Sequence, residues 1–334
     1  MEIPRIAITM GDPSGIGPEI IAATLAEPSV RQACHPVVLG DIEAICRGND
    51  VAARGLTPII ITHPEEAATL PADSLPILSV ATLAPEDMRY GHPTEAAGDA
   101  VYRSICQATD FCLQGQVGAM ATAPISKASL QAAGHHYPGH TELIAERCDC
   151  NDFVLMLAGD VLRVALVTIH EPLSNVPKLI TVEQVLKTIT VTAQGVTPLC
   201  GSRTPKLAVM ALNPHCGEQG LFGKEEIEQI IPAVAAARSI GIDVEGPFSA
   251  DTFFHAAIGS SFPYDAVVAM YHDQGLIPLK MRHFEDGINI TLGLPIIRTS
   301  VDHGTAYPLA GTGTANNASM RAAIMTAATL ARRR

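Results

Sequence analysis

The chain has 334 residues, 47% of them hydrophobic, with a mean hydropathy of +0.23 and a formal charge of −12, so it can bury a large core as two compact domains or one large α/β unit. The acidic balance argues against a nucleic-acid partner, which clustered Lys and Arg would grip, and the basic run Arg332-Arg333-Arg334 reads as a terminal tail. No apolar stretch reaches the roughly 18 residues of a membrane span; MEIPRIAITMGDPSG reads as the start of a strand and not a signal sequence; and scattered cysteines, the nearest pair being Cys148 and Cys150, fit reduced thiols of a cytoplasmic protein.

In chain order, strands are expected at Arg5–Thr9, Pro36–Leu39, Val117–Ala121, Arg163–Thr168, Lys206–Ala211 and Asp265–Met270. Helical patterns fall between them at Gly17–Leu25, Glu95–Gln114, Val182–Gln194, Lys224–Ser239 and Ala318–Arg332. Short Val, Ile, Ala and Leu runs alternating with longer helical patterns are the signature of a mostly parallel sheet covered on both faces. Boundaries are expected at TAPISKASL and TSVDHGTAY, giving a discontinuous first α/β domain of residues 1–125 plus 300–334 and a second of residues 126–299. The last helix would pack back on the first domain.

In open α/β sheets ligands bind just beyond the carboxyl ends of the strands. RVALVTIHEP delivers His170 there, LAVMALNPHCGE delivers His215, and AVVAMYHDQG delivers His272. Three imidazoles from one sheet edge can converge on a divalent cation and leave positions open for substrate; polar residues at strand ends are also expected without a metal. Asp273 reads either as a carboxylate orienting His272 or as a loop cap.

Anion-binding signals lie near the same places. MGDPSGIGPE after the first strand could turn backbone N–H groups toward an anion or simply make a tight turn. It is not GxGxxG, and no strand is followed by that dinucleotide fingerprint. Lys280, Asn289 and Arg298 offer cationic and amide groups between apolar turns, and a guanidinium fork suits phosphate or carboxylate as well as a structural ion pair. PGHTE offers His140 and Thr141 at the mouth of a helix, where Thr141 could equally be an N-cap.

ITMGDPSGIGPEI, PGHTE, LNPHCGE, YHDQG, INITLGLP and IRTSVDHGTA, in this order and at these distances, closely resemble the 4-hydroxythreonine-4-phosphate dehydrogenase family of pyridoxal phosphate biosynthesis. The resemblance covers nearly the whole chain. It implies an NAD(P)-dependent oxidative decarboxylase, a homodimer with its active site near the interface, and one divalent metal ion, zinc, magnesium, cobalt or manganese. His170, His215 and His272 correspond to the family's metal ligands. His140, Thr141, Lys280, Asn289 and Arg298 correspond to its substrate-binding residues, with Lys280 and His140 as the catalytic candidates. HGTAYPLAGTGTAN also resembles the cofactor loop of isopropylmalate and isocitrate dehydrogenases, which points to His303, Gly304, Gly311 and Asn316 for the dinucleotide. That similarity implies two α/β domains around a central cleft, the second carrying most metal and substrate ligands.

The implied substrate is a small phosphorylated hydroxy acid, 4-phosphohydroxy-L-threonine, oxidised and decarboxylated to 3-amino-2-oxopropyl phosphate. Threonate 4-phosphate presents the same alcohol and carboxylate and is the near alternative; MRHFED and PISKASLQAAGHH are where a difference would be encoded. A metal-dependent phosphohydrolase using the same histidines, or a noncatalytic anion-binding protein, are the alternatives of other classes, both disfavoured by the HGTA to AGTGTAN loop.

Overall fold

In the computed structural model, which describes residues 2–259 and 261–334, the strands in chain order are β1 (Arg5–Thr9), β2 (His35–Gly40), β3 (Thr57–Ile61), β4 (Ser74–Ser79), β5 (Ala119–Thr122), β6 (Val154–Ala158), β7 (Arg163–Leu166), β8 (Lys206–Met210), β9 (Asp243–Phe248), β10 (Ala266–Ala269), β11 (Ile288–Leu292) and β12 (Arg298–Val301). The chain divides into two compact units, Met1–Asn151 with Leu294–Arg334, and Asp152–Gly293.

The first unit carries a parallel sheet ordered β3-β4-β2-β1-β5-β12. β1, with four of its five residues buried, lies at the centre because both of its faces are covered. Ile20, Ile21 and Leu25 of helix Gly17–Leu25 join Ile6, Ile8 and Met10 in one core, together with Met320 and Ile324 of the C-terminal helix Ala318–Arg333. That last helix packs on β5 and β12. The chain runs outward from β1 through β2 and returns to β5 on its other side, so the strand order reverses between β1 and β5, the place where such sheets bind ligands. The loops leaving these two strands meet there: Asp12 N donates to Pro124 O at 2.9 Å. Gly11, at φ +73°, leaves no room for a side chain, since a Cβ would stand 2.4 Å from Pro124 O.

Helices Lys127–Ala132 and His140–Arg147 pack on helix Glu95–Leu113. This packing is why the first unit continues to Asn151 instead of ending near residue 125, and why His140 and Thr141 belong to it.

The second unit orders its strands β11-β6-β7-β10-β8-β9. β6 runs antiparallel to both neighbours, whereas β7, β10, β8 and β9 are mutually parallel. The single α-helix expected over Lys224–Ser239 is replaced by a π-helical turn, Glu226–Ile230, followed by helix Ile231–Ser239. Pro232 has no N–H to return to the carbonyl four residues back, and the ladder widens on its N-terminal side. Helix His272–Arg282 starts directly at His272, in a segment where no helix was expected. Among the described residues, no helix is long and apolar enough to cross a membrane.

Candidate active site

In the second unit β10 lies between β7 and β8 in parallel register, Val267 opposite Val164 and Ala208. Their carboxyl ends therefore share one edge, and His170, His272 and His215 follow those ends. Pairing persists past the strands: Val167 N donates to Ala269 O at 2.9 Å and Thr168 Oγ1 to Met270 O at 2.8 Å. This lacing brings the His170 and His272 rings to 5.7 Å between centroids, tilted by 41°. His272 Nδ1 lies 2.7 Å from Asp273 Oδ1, so Asp273 orients the ring and turns Nε2 outward, the arrangement that suits a metal-ligating imidazole. Gln274, which the sequence reading passed over, joins two strand ends: its Oε1 accepts from Met270 N at 2.8 Å and its Nε2 donates to Ala211 O at 2.6 Å.

His215 stands on an unusual backbone. Residues His215 to Gln219 all have positive φ, from 44° to 75°, and four of the five carry a Cβ. Left-handed conformation costs such residues roughly 1–2 kcal/mol each, so the turn must be held by its surroundings.

The three histidines are not drawn into a closed cage within one chain. Among the described residues, the group whose ligand atoms lie within 4.8 Å of one another is Asp160, His283 and Asp286. There the His283 ring is buried against Gly159, with Nδ1 3.2 Å from Asp286 Oδ1 and Nε2 buried without a partner. An ion on Nδ1 would force the proton onto Nε2 and bury an unpaired donor. The cluster is therefore a histidine–aspartate clasp closing the end of helix His272–Arg282. His170, His215 and His272, by contrast, have accessible rings and one carboxylate orienter, a donor set that fits a divalent metal.

Of the other second-unit candidates, Asn289 lies in β11 opposite Leu157, and its buried Oδ1 has no hydrogen-bond partner. Lys280 lies in the last turn of helix His272–Arg282, about 12 Å along the axis from His272 at the usual rise per residue.

The first unit gathers His140, Thr141 and Arg298. Arg298, the first residue of β12, is 1% exposed and is the largest fully buried side chain. Its guanidinium donates to Thr122 Oγ1 at 3.0 Å and Thr141 Oγ1 at 3.5 Å, and burial pushes its pKa down to about 10. Thr141 is not a helix cap; Gly139 holds that position. His140 is hydrogen-bonded to the Ala123 backbone while its Nε2 is buried without a partner. Burial, then the Arg298 and Lys127 charges, hold this imidazole well below its ordinary pKa, so it is neutral at neutral pH.

The loop from His303 to Asn316 is strapped onto the segment after β1. Ile16 N donates to Thr305 O at 3.1 Å, Tyr307 Oη to Asp12 Oδ2 at 2.7 Å, and Gly311 N to Glu19 Oε2 at 2.8 Å. Burial raises the pKa of both carboxyls. Sequence reasoning missed Asp12 and Glu19 as loop anchors; their position directly after β1 was the available signal. The glycines of GDPSGIG are used for this packing, since a Cβ on Gly15 would lie 2.8 Å from Thr305 O, so the segment makes a tight turn. Gly311 and Asn316 also have structural duties: a Cβ on Gly311 would strike Tyr90, and Asn316 Oδ1 accepts from Ala318 N at 2.8 Å. His303 keeps a buried Nε2 without a partner, and Gly304 faces open space, which fits a nucleotide approaching at that end of the loop.

The first unit carries the switch point, the strapped glycine-rich loop and the buried guanidinium, and the second carries the strand-end imidazoles; relatives of high identity, named as dehydrogenases, make the chain an α/β oxidoreductase. Residues 32–327 match the family described as pyridoxal phosphate biosynthetic protein PdxA, and the chain belongs to that family. It is 66% identical over 328 residues to the 4-hydroxythreonine-4-phosphate dehydrogenase of Trichlorobacter lovleyi, covering 98% of both chains. It is 43% identical over 333 residues to the D-threonate 4-phosphate dehydrogenase of Cupriavidus necator, covering 99% of this chain and 98% of that one. The crystal structure of the 4-hydroxythreonine-4-phosphate dehydrogenase from Klebsiella pneumoniae aligns with a TM-score of 0.86 at 42% identity, covering 98% of this chain and 99% of that one.

Proposed function

We propose that the chain catalyses the NAD(P)-dependent oxidation and decarboxylation of 4-phosphohydroxy-L-threonine to 3-amino-2-oxopropyl phosphate, acting as a cytoplasmic homodimer. The observation that carries this choice over D-threonate 4-phosphate is the 66% full-length identity to a relative named for the former, against 43% for one named for the latter.

The chemistry needs an acidified alcohol, a hydride acceptor and a place for the negative charge left when carbon dioxide departs. His303 and Gly304 would hold the nicotinamide end of NAD or NADP, which would supply the hydride acceptor. His170, His215 and His272 would hold a divalent ion, which would supply Lewis acidity for the substrate alcohol; imidazoles suit zinc or cobalt, and substrate oxygens extend the choice to magnesium or manganese. Arg298, dry and already fixed by Thr122, binds an anionic group of the substrate without reorganising, and Thr141 adds a hydroxyl. Neutral His140 presents Nε2 as a proton acceptor. Lys280 contacts the reacting part of the substrate, and the unpartnered Asn289 Oδ1 takes a donor such as its amino group.

The direct test compares NADH formation with the two phosphates, before and after metal removal by a chelator. Faster turnover of 4-phosphohydroxythreonine, abolished by the chelator and restored by a divalent ion, is expected. Preference for threonate 4-phosphate would overturn the substrate assignment, and phosphate release without NADH would favour a hydrolase.

The homodimer has its own signature. Ile277 and Met281, 58% and 84% exposed, lie one turn apart on the helix that His272 opens, and Phe284, 82% exposed, follows just past its end. A surface of that kind on a soluble chain calls for cover, and a second copy would put the dimer contact on the very element that bears a metal ligand. Replacing Met281 and Phe284 with aspartate should therefore shift the sedimenting species to monomer. An unchanged dimer would place the interface elsewhere.

A further inference from the structure

The left-handed turn of His215 leads back to a carboxylate with no assigned role. Glu226, the first residue of the π-helical turn, is 1% exposed. Its Oε1 accepts from two amides just past β8, Leu212 N at 2.8 Å and Asn213 N at 2.7 Å. Its Oε2 accepts from Asn213 Nδ2 at 3.0 Å, while the same Nδ2 reaches Glu225 Oε2 at 2.7 Å. On the far side of His215, Gly217 closes over the same carboxylate so tightly that a Cβ would lie 2.6 Å from Oε2. Cys216 Sγ reaches Pro247 O at 3.6 Å and pins the outer edge. His215 thus lies between Asn213, which is hydrogen-bonded to Glu226, and Gly217, which packs closely against the same carboxylate.

We propose that Glu226 is the positioning residue of His215: its buried carboxylate holds the backbone of residues 212–217 in the left-handed turn that presents this imidazole at the strand edge, so metal affinity depends on a group that never meets the metal. This rests on the metal-ligand reading of His215. The π turn belongs to the same device. A wider turn places Glu226 at the start of its helix with its side chain directed back to the end of β8, and the sequence reading of an uninterrupted helix from Lys224 gave it no such task. A carboxylate is required because every partner is a donor. A glutamine would keep one acceptor oxygen for the two backbone amides but set its own NH2 against Asn213 Nδ2.

The test is a cobalt(II) titration of the metal-stripped full chain, read from the visible absorption of the bound ion and not from turnover. Wild type, Glu226→Gln, His215→Ala and the double variant are compared, with far-ultraviolet circular dichroism as the check on folding. Glu226→Gln should weaken cobalt binding by about 10- to 100-fold, the range for groups that orient metal ligands. The double variant should bind no more weakly than His215→Ala alone, because both changes remove the same ligand. Affinity of Glu226→Gln within twofold of wild type, or additive losses in the double variant, would overturn the positioning role alone. If His215→Ala binds cobalt as wild type does, the metal reading fails and the proposal falls with it. Should Glu226→Gln not fold, Gly217→Ala tests the same contact from the other side, with loss of affinity expected and unchanged affinity counting against it.

Discussion

Arg298→Met should lower kcat/KM for the phosphorylated substrate by about 10³-fold while leaving the melting temperature unchanged or higher. The two effects have opposite signs because they come from the same burial. Charge-assisted hydrogen bonds contribute roughly 1.5–3 kcal/mol each, and a guanidinium that gives a substrate anion two of them in a dry site accounts for about that loss of rate. Removing water also makes the buried cation costly. The Arg298 pKa falls from 12.5 to about 10 on burial, so at neutral pH the folded state carries a charge it disfavours relative to the unfolded chain, and that penalty is relieved only as pH rises through about 10. Methionine has similar length, no charge and no such penalty; against this stands the lost contact to Thr122. A thermal melt beside steady-state kinetics separates the readings. If Arg298 only tied β12 to its neighbours, activity and melting temperature would fall together, and that result would remove it from the substrate site.

What could be read in advance follows from how local each signal is. β1 and helix Gly17–Leu25 have the expected bounds because a continuous apolar run, then Pro18 in the first turn, mark them within the segment itself. β12 was not visible: Arg-Thr-Ser-Val is a buried strand made largely of polar residues, and its Thr299 and Ser300 hydroxyls donate to Met120 O, Ala323 O and Thr122 O, which are distant in sequence. β3 was hidden for the opposite reason, being an edge strand with an exposed proline. Helix His272–Arg282 has a polar first turn and Pro278 inside it, so no helical pattern marked it in the sequence.

The candidate site divides in the same way. His170, His215 and His272 were legible because strand ends on one sheet edge can be counted along the chain. Glu226, Gln274, Asp12 and Glu19 were not, because each acts on backbone brought to it by the fold. The glycines of GDPSGIG left an anion site and a tight turn both open and Gly311 was a cofactor candidate; Gly11, Gly15, Gly17 and Gly311 pack against Pro124, Thr305, Met10 and Tyr90. Small residues at a loop signal close approach without naming what approaches.

His140→Asn should cut kcat by about 10²- to 10³-fold, the range for one positioned proton-transfer group, and should make the protein less sensitive to acid. Asparagine can keep a donor toward the Ala123 backbone but lacks the second ring nitrogen, whose buried, partnerless Nε2 is what His140 offers a substrate proton. The folded-state pKa is held well below 6.5, first by burial and then by the Arg298 and Lys127 charges, so the imidazole is a neutral base throughout the neutral range. The acidic limb of the wild-type rate profile that belongs to this group should therefore lie below the ordinary histidine range. Stability follows the same linkage: below about pH 6.5 the unfolded chain binds a proton at residue 140 that the folded chain refuses, so the contribution of His140 is full above that pH and is lost as pH falls toward the folded-state value. Urea unfolding of both proteins at pH 5 and pH 7.5 isolates this group, since all other histidines are common to the pair. The difference in midpoint between the two pH values should be smaller for the asparagine variant. Equal differences, with kcat retained, would show that His140 neither resists protonation nor handles the substrate proton.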